Sequence, residues 1–274
     1  MRILAINDLS CVGKCSLSVT LPIVSACGVT CDVLPTALLS THTGGFNGYT
    51  FRDLSDDVKA IVAHFKTLGL KFDVVYSGYL GNLSQIDAVL EIKRQFLKGG
   101  GIFVVDPVMG DDGKLYAGFT HAHVEKMRLL CKEADYILPN VTEACLLSGV
   151  SYPTHGEEYP IDDVFQRLQA LCRRPIVTGL LENKNVSVCY TGENRAMKKY
   201  QSENVEGFFH GAGDVFASAF VGALARGKKE ETAVRLAADF TSAAIRRSAK
   251  EVADKRYGLN FEAEIFSFLK NLNA

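Results

Sequence analysis

The stretch EGFFHGAGDVFASAF sets Gly211 and Gly213 on either side of Ala212, with Asp214 next and an apolar run directly behind. A helix that opens at such a point offers unpaired backbone N–H groups and the positive end of its dipole. Glycines let a bound anion approach the backbone closely. The amides after Gly211 therefore form a candidate cradle for a phosphoryl group, with Asp214 within reach of a substrate hydroxyl. The same residues satisfy a plainer reading, in which Asp214 only caps the helix. The chain has no G-x4-G-K-[ST], and no G-x-G-x-x-G follows the first apolar run. A nucleotide enzyme built from this sequence needs another phosphate site, and GAGD is the best candidate.

The elements that must position this turn are read from apolar periodicity. RILAI, CDVLPTAL, FDVVYS, GIFVV, YIL and PIV read as buried strands, the first ending at Ile6 and the second near Pro35. Helical patterns separate them, for example DLSDDVKAIVAHFKTLG with Asp53 at its start. This rhythm predicts an α/β fold with a mostly parallel sheet and helices on both faces. It breaks near 185–201, where NVSVCYTG and RAMKKYQ predict an antiparallel hairpin, and only helices follow. The segment 151–160, SYPTHGEEYP, reads as a loop rather than a domain boundary. With no repeat, low-complexity tract or long linker, residues 1–274 are expected to form a single domain.

Open α/β sheets bind ligands beyond the carboxyl ends of their strands. There the sequence places Asn7, Asp8 and Ser10, then Gly78 and Tyr79, then Asp106, Gly110, Asp111 and Asp112. Asn140, Thr142 and Glu143 follow a later strand, and Thr178 and Gly179 the last. Together they predict a site along one edge of the sheet.

Composition narrows the function classes. Hydrophobic residues make up 47% of the 274, charged residues 22%, and the formal net charge is −1. That balance gives no electrostatic reason to expect nucleic acid or an anionic membrane as partner. The apolar stretch before Asp8 is too short for a signal segment, and no run is long enough to span a bilayer, so a cytoplasmic protein is the default. Eight cysteines include two C-x3-C pairs, Cys11/Cys15 and Cys27/Cys31. Zinc is conceivable there, but the segment between the pairs looks like a core helix, so buried free thiols are the favoured reading.

DPVMGDDGKLY (106–116), PNVTEA (139–144), VTG (177–179) and HGAGD (210–214) occur in the order and spacing of the ribokinase-like superfamily. SGYLGN (77–82) and STHTGGFNG (40–48) further resemble its pyridoxal kinase branch. The resemblance covers nearly the whole chain. It implies ATP-dependent phosphorylation of the 5′-hydroxymethyl group of pyridoxal, pyridoxine or pyridoxamine. It makes Asp214 the catalytic base and the amides of Gly211, Ala212 and Gly213 the anion hole. Asp106 and Glu143 would serve magnesium, Glu143 through water. Asp106, Asp111, Tyr116, Asn140, Glu143, Thr178 and Gly179 would line the ATP channel. Asp8, Ser10, His42, Thr43 and Tyr79 would contact the substrate. A monovalent cation is compatible with such a site, and related kinases commonly form homodimers.

The first loop, NDLSCVGKCSL, departs from the pyridoxal kinase pattern. Asp8-Leu9-Ser10 and His210 look more like the hydroxymethylpyrimidine kinases of thiamine synthesis, which typically carry cysteine where Asp214 stands. That activity and a non-catalytic vitamin- or nucleotide-binding protein are the alternatives. A sugar or nucleoside kinase would need extra lid strands early in the chain, and 31–41 leaves no room for such a hairpin.

Overall fold

The computed structural model describes residues 1–154 and 157–274. The first half opens with β1 (Arg2–Val12), α1 (Leu17–Ala26), β2 (Thr30–Thr41) and β3 (Phe51–Asp53). It continues through α2 (Ser55–Thr67), β4 (Phe72–Ser77), α3 (Leu83–Phe96), β5 (Leu97–Val105), β6 (Gly110–Asp111) and β7 (Lys114–Leu115). Then come α4 (His121–Lys132), β8 (Tyr136–Ile137), α5 (Val141–Ser148), α6 (Ile161–Leu171), β9 (Arg174–Glu182), β10 (Asn185–Thr191) and β11 (Met197–Glu203). The chain closes with α7 (Ala212–Ala225), α8 (Glu230–Glu251) and α9 (Ile265–Asn273).

Nine strands form one sheet in the order β11-β10-β9-β8-β5-β4-β1-β2-β3. The central pairs are parallel, while β9-β10-β11 and β2-β3 are antiparallel. Side chains alternate faces along each strand. Ile3 and Ala5 pack with α1, α7, α8 and α9 on one side, and Leu4 and Ile6 pack with α2 to α6 on the other. Both faces are thus covered, as the near-continuous apolar runs predict. The expected hairpin near 185–201 is β10-β11, paired from Asn185↔Glu203 to Thr191↔Met197. The 151–160 loop has no regular element at its described positions, and positions 155 and 156 lie outside the described residues.

Three features differ from the sequence reading. First, β1 does not end at Ile6, nor β2 near Pro35. The two run on together to Val12 and Thr41, with a slip in register between Asn7 and Leu9. Pro35, which cannot donate a hydrogen bond, stands at that slip, where the ladder is already interrupted. Second, β3 pairs with Ala37, Leu38 and Leu39, so an added strand does exist beside β2, supplied from beyond 41. Asp53 lies in β3, and its Oδ1 accepts the Ser55 N–H where α2 begins. Third, DPVMGDDGKLY contains the short hairpin β6-β7. Gly110 permits it, since a Cβ there would collide with the Lys114 carbonyl oxygen.

All eight cysteines are free. Cys15 and Cys27 are buried, as expected of core thiols, but Cys11 is exposed and Cys31 half-buried on the strands running out to the sheet edge. No helix among the described residues is long and apolar enough to cross a membrane.

Candidate active site

The helix α7 is mostly apolar and buried from Val215 to Ala225. It packs on α1, with Ser218 Oγ donating to Thr20 Oγ1 (3.1 Å) and Gly222 against the Cys27 thiol. That burial fixes its first turn. Gly211 is the N-cap, with φ 78° and ψ 2°, and no side chain caps the helix. This left-handed conformation favours glycine, and a Cβ would run into the Lys14 carbonyl oxygen. Gly213 has an ordinary φ and open space where a Cβ would project. The first intrahelical bond is Val215 N–H to Gly211 O (3.0 Å), so the amides of Ala212, Gly213 and Asp214 have no intrahelical acceptor.

Asp214 is the third helical residue rather than the cap. Desolvation pushes its carboxyl up to about 7, and nearby Asp8 adds to this, while the Ser16 backbone and the Asn7 side chain hold it down. Asp8 itself is buried in β1, not in a loop. Its Oδ1 accepts from Ser16 Oγ (2.5 Å) and its Oδ2 from Ser10 Oγ (3.3 Å). Burial raises its pKa despite both hydroxyls.

Opposite lies the start of α5. Asn140 Oδ1 accepts the Glu143 N–H (2.9 Å), and Glu143 Oε2 accepts the Asn140 N–H (2.9 Å), a complete capping box. Glu143 Oε1 accepts the Met109 N–H, Asn140 Nδ2 donates to Gly110 O, and Thr142 Oγ1 accepts the Gly113 N–H, each at 2.9 Å. PNVTEA thereby clamps the β6-β7 hairpin. Thr142, placed by the sequence among the residues past this strand, serves here to hold the hairpin through Oγ1.

Asp106, at the end of β5, is buried, and its carboxylate has no hydrogen-bond partner among the described residues. Burial and the neighbouring Glu143 and Asp214 push its pKa well up. Glu143 is pushed up to about 8 by burial. Asp106, Glu143 and Asp214 thus gather at one end of the sheet, and carboxylate oxygens suit an oxygen-seeking divalent ion. Among the described residues no three His, Cys, Asp or Glu form a preassembled metal cage. Asp111 is half-buried with a raised pKa, and Tyr116 is partly exposed on the hairpin side. Thr178 bridges to Asn140, its N–H bonding Pro139 O (3.0 Å), and Gly179 follows at φ 77°.

The substrate-side candidates lie under the loop between β2 and β3. His42 Nδ1 accepts the Gly44 N–H (3.1 Å), so Nε2 carries the proton donated to Arg256 O (2.6 Å). Its ring lies beside Gly13, where a Cβ would come within 2.6 Å, and 4.9 Å from the His210 ring. His42 is therefore committed to holding this loop on the 255–257 turn. Arg256 strengthens the contact, with Nη1 donating to Gly45 O (3.2 Å) and its guanidinium over Phe46. Thr43 is exposed. Tyr79 stacks on Phe119 at 5.7 Å, and Phe119 on His123 at 4.0 Å. Sequence reasoning had no signal for Arg256, more than 200 residues from the loop it holds.

Several known proteins are similar to this chain. The chain is 32% identical over 215 residues to the pyridoxine kinase of Bacillus subtilis, covering 74% of each chain. The pyridoxal kinase of Lactobacillus plantarum superposes with a TM-score of 0.91 at 31% identity, over 98% of this chain and 96% of that one. A putative phosphomethylpyrimidine kinase of Bacteroides thetaiotaomicron, crystallised with pyridoxal, superposes with a TM-score of 0.90 at 33% identity, over 100% and 96%. The ribokinase-like architecture implied by the motifs is the observed one. Residues 21–258 match the phosphomethylpyrimidine kinase family, to which this chain belongs.

Proposed function

We propose that the protein transfers the γ-phosphoryl group of ATP to the 5′-hydroxymethyl group of pyridoxal, pyridoxine or pyridoxamine. The observation that carries this reading is the open first turn of α7, with a carboxylate raised to about 7 beside three unpaired amides. As the vitamin oxygen bonds to the γ-phosphorus, Asp214 takes the hydroxyl proton and ADP leaves with the electrons of the broken P–O bond. The amides of Ala212, Gly213 and Asp214 face the charge that builds on the transferring group, and Gly211 supplies the turn that exposes them. Asp106 would hold magnesium directly. Glu143, whose oxygens each accept a backbone N–H, would reach it through water. When bound, magnesium offsets phosphate charge. The hairpin with Asp111 and Tyr116, and the edge at Asn140, Thr178 and Gly179, form the ATP side. Asp8, Ser10, Thr43 and Tyr79 form the vitamin side, with His42 holding the loop above it. The whole chain acts as one kinase domain.

The relatives named as pyridoxine and pyridoxal kinases support this substrate class, as does the pyridoxal in the Bacteroides crystal. A second reading, hydroxymethylpyrimidine phosphorylation, draws on the family description and on His210 beside GAGD. The test is phosphate transfer from ATP to the three vitamers and to hydroxymethylpyrimidine, with kcat/KM measured for each. A B6 vitamer should lead. Preference for hydroxymethylpyrimidine would reverse the assignment, and ATP turnover independent of all four would end the kinase reading. A cytoplasmic homodimer is the proposed setting, and sedimentation as monomer alone at micromolar concentration would contradict the dimer.

A further inference from the structure

Asn7 lies wholly buried on β1 beneath the site. Its Oδ1 accepts two backbone N–H groups, from Asp8 at 3.0 Å and from Tyr79 at 2.8 Å. These bonds settle which end of the amide is oxygen, so the amino group must turn the other way. Gly78 makes the room, because a Cβ there would stand 2.6 Å from Asn7 Cγ and closer still to Nδ2. Turned this way, Nδ2 has no hydrogen-bond partner among the described residues. A fully buried donor left unpaired is rare and needs a reason. Asn7 follows Ile3 and Ala5 on the face of β1 that α7 covers, and it is among the groups that lower the Asp214 carboxyl against burial. Tyr76 Oη and Ser77 Oγ, on the neighbouring strand, are also buried and unpaired. The floor of the site therefore keeps a buried donor unspent beneath α7.

We propose that Asn7 is a positioning residue whose Nδ2–H bonds one oxygen of Asp214 during the reaction and turns the other toward the substrate hydroxyl. The inference rests on Asp214 being the base. It gives the strand-end Asn a task distinct from its visible one, which is to hold the Tyr79 turn through Oδ1. The two tasks use opposite ends of one amide, so they separate by substitution.

Asn7→Asp keeps the size and the acceptor but removes the donor. It also sets a further carboxylate beside the buried Asp8 and Asp214, so its effect is read against the neutral Asn7→Ala. As a positioning residue, Asn7→Asp should lower kcat about 10–100-fold, the usual loss when an orienting partner of a working group is removed. The KM values for ATP and vitamin should stay within about threefold. Titration with a non-hydrolysable ATP analogue counts folded sites, so that turnover refers only to them. Should Asn7→Asp not accumulate, Asn7→Ala is read by the same split. Loss of the Tyr79 contact raises the vitamin KM, whereas loss of the donor lowers kcat. Combined with Asp214→Asn, either Asn7 change should cost less than about twofold more, because its effect runs through the missing carboxylate. Wild-type kcat in Asn7→Asp with an impaired Asp214→Asn overturns this inference alone. Fully additive losses overturn it too. Wild-type turnover in Asp214→Asn instead overturns the base assignment beneath it.

Discussion

Two helices begin at the same edge of the sheet and treat their first amides in opposite ways. At α5 the Asn140–Glu143 capping box closes the turn, and the remaining donors and acceptors tie down the β6-β7 hairpin. At α7 a left-handed glycine stands where a capping side chain would, and three amides stay open. Asp106 lies between them and feels both Glu143 and Asp214. An end capped by its own sequence is a fixed wall, whereas an end left open beside a carboxylate is fit to receive an anion and a proton. Both turns look equally polar in sequence, and only the backbone separates them.

The sharpest way to break the contrast is Asp214→Asn. Turnover should fall about 10²–10⁴, the range for loss of a general base. Melting temperature should not fall, because Asp214 caps nothing and Asn carries no buried charge. The wild-type pH profile adds a signed test. A base must be ionised, so kcat/KM should rise as pH climbs through about 7. For stability the sign is the reverse. A folded-state pKa above the ordinary value near 3.9 means the fold favours the protonated acid. Stability present at low pH should therefore be lost as pH rises through about 7, and less so in Asp214→Asn. A flat profile in both measurements would count against the raised carboxyl.

The glycines come next. Gly211→Ala puts a Cβ into the Lys14 carbonyl at φ 78°, so it should cost about 1–3 kcal/mol of stability and displace the amides. Displacing an anion-hole donor typically costs about 10²–10³ in turnover. Gly213→Ala meets open space at an ordinary φ and should leave stability unchanged while weakening ATP use. Equal melting temperatures for the two variants would contradict the described turn.

At the closed end, Glu143→Gln turns an amide N–H₂ toward a backbone donor. It should cost about 1 kcal/mol, the usual value of a cap, and should raise the magnesium concentration needed for half-maximal activity. A stability loss with unchanged magnesium dependence would make Glu143 a clamp only. The smallest effect is expected at Arg256→Ala, which loosens the loop over the vitamin side. A rise of about two- to fivefold in vitamin KM with little change in kcat fits a positioning contact. An unchanged KM would show that His42 holds the loop alone.

The fold was legible where apolar periodicity carries it. RILAI, FDVVYS and GIFVV show buried parallel strands, and the TGEN turn shows the β10-β11 hairpin. The outer half of β1 was not legible. Asp8 and Ser10 are buried there while Leu9 is half-exposed, the inverse of the pattern that marks a strand. The β6-β7 hairpin has two residues per strand, too few for any periodicity. GAGD suggested an anion site, but the residue needing a left-handed backbone is Gly211, and nothing in the letters distinguishes it from Gly213. Asn140 and Glu143 were visible as a pair, yet their hydrogen bonds to Gly110 and Met109 depend on a hairpin the sequence did not reveal. Arg256 and the spare donor of Asn7 follow from tertiary placement alone.

The central claim is that the open turn of α7, not the closed turn of α5, receives the transferring phosphoryl group. Backbone amide NMR, with magnesium and a non-hydrolysable ATP analogue added in the presence of pyridoxine, tests it most directly. The amides of Ala212, Gly213 and Asp214 should shift strongly and become protected from exchange, while those of Asn140 and Glu143 move little. Large shifts at Asn140 and Glu143 with Ala212, Gly213 and Asp214 unmoved would contradict the account.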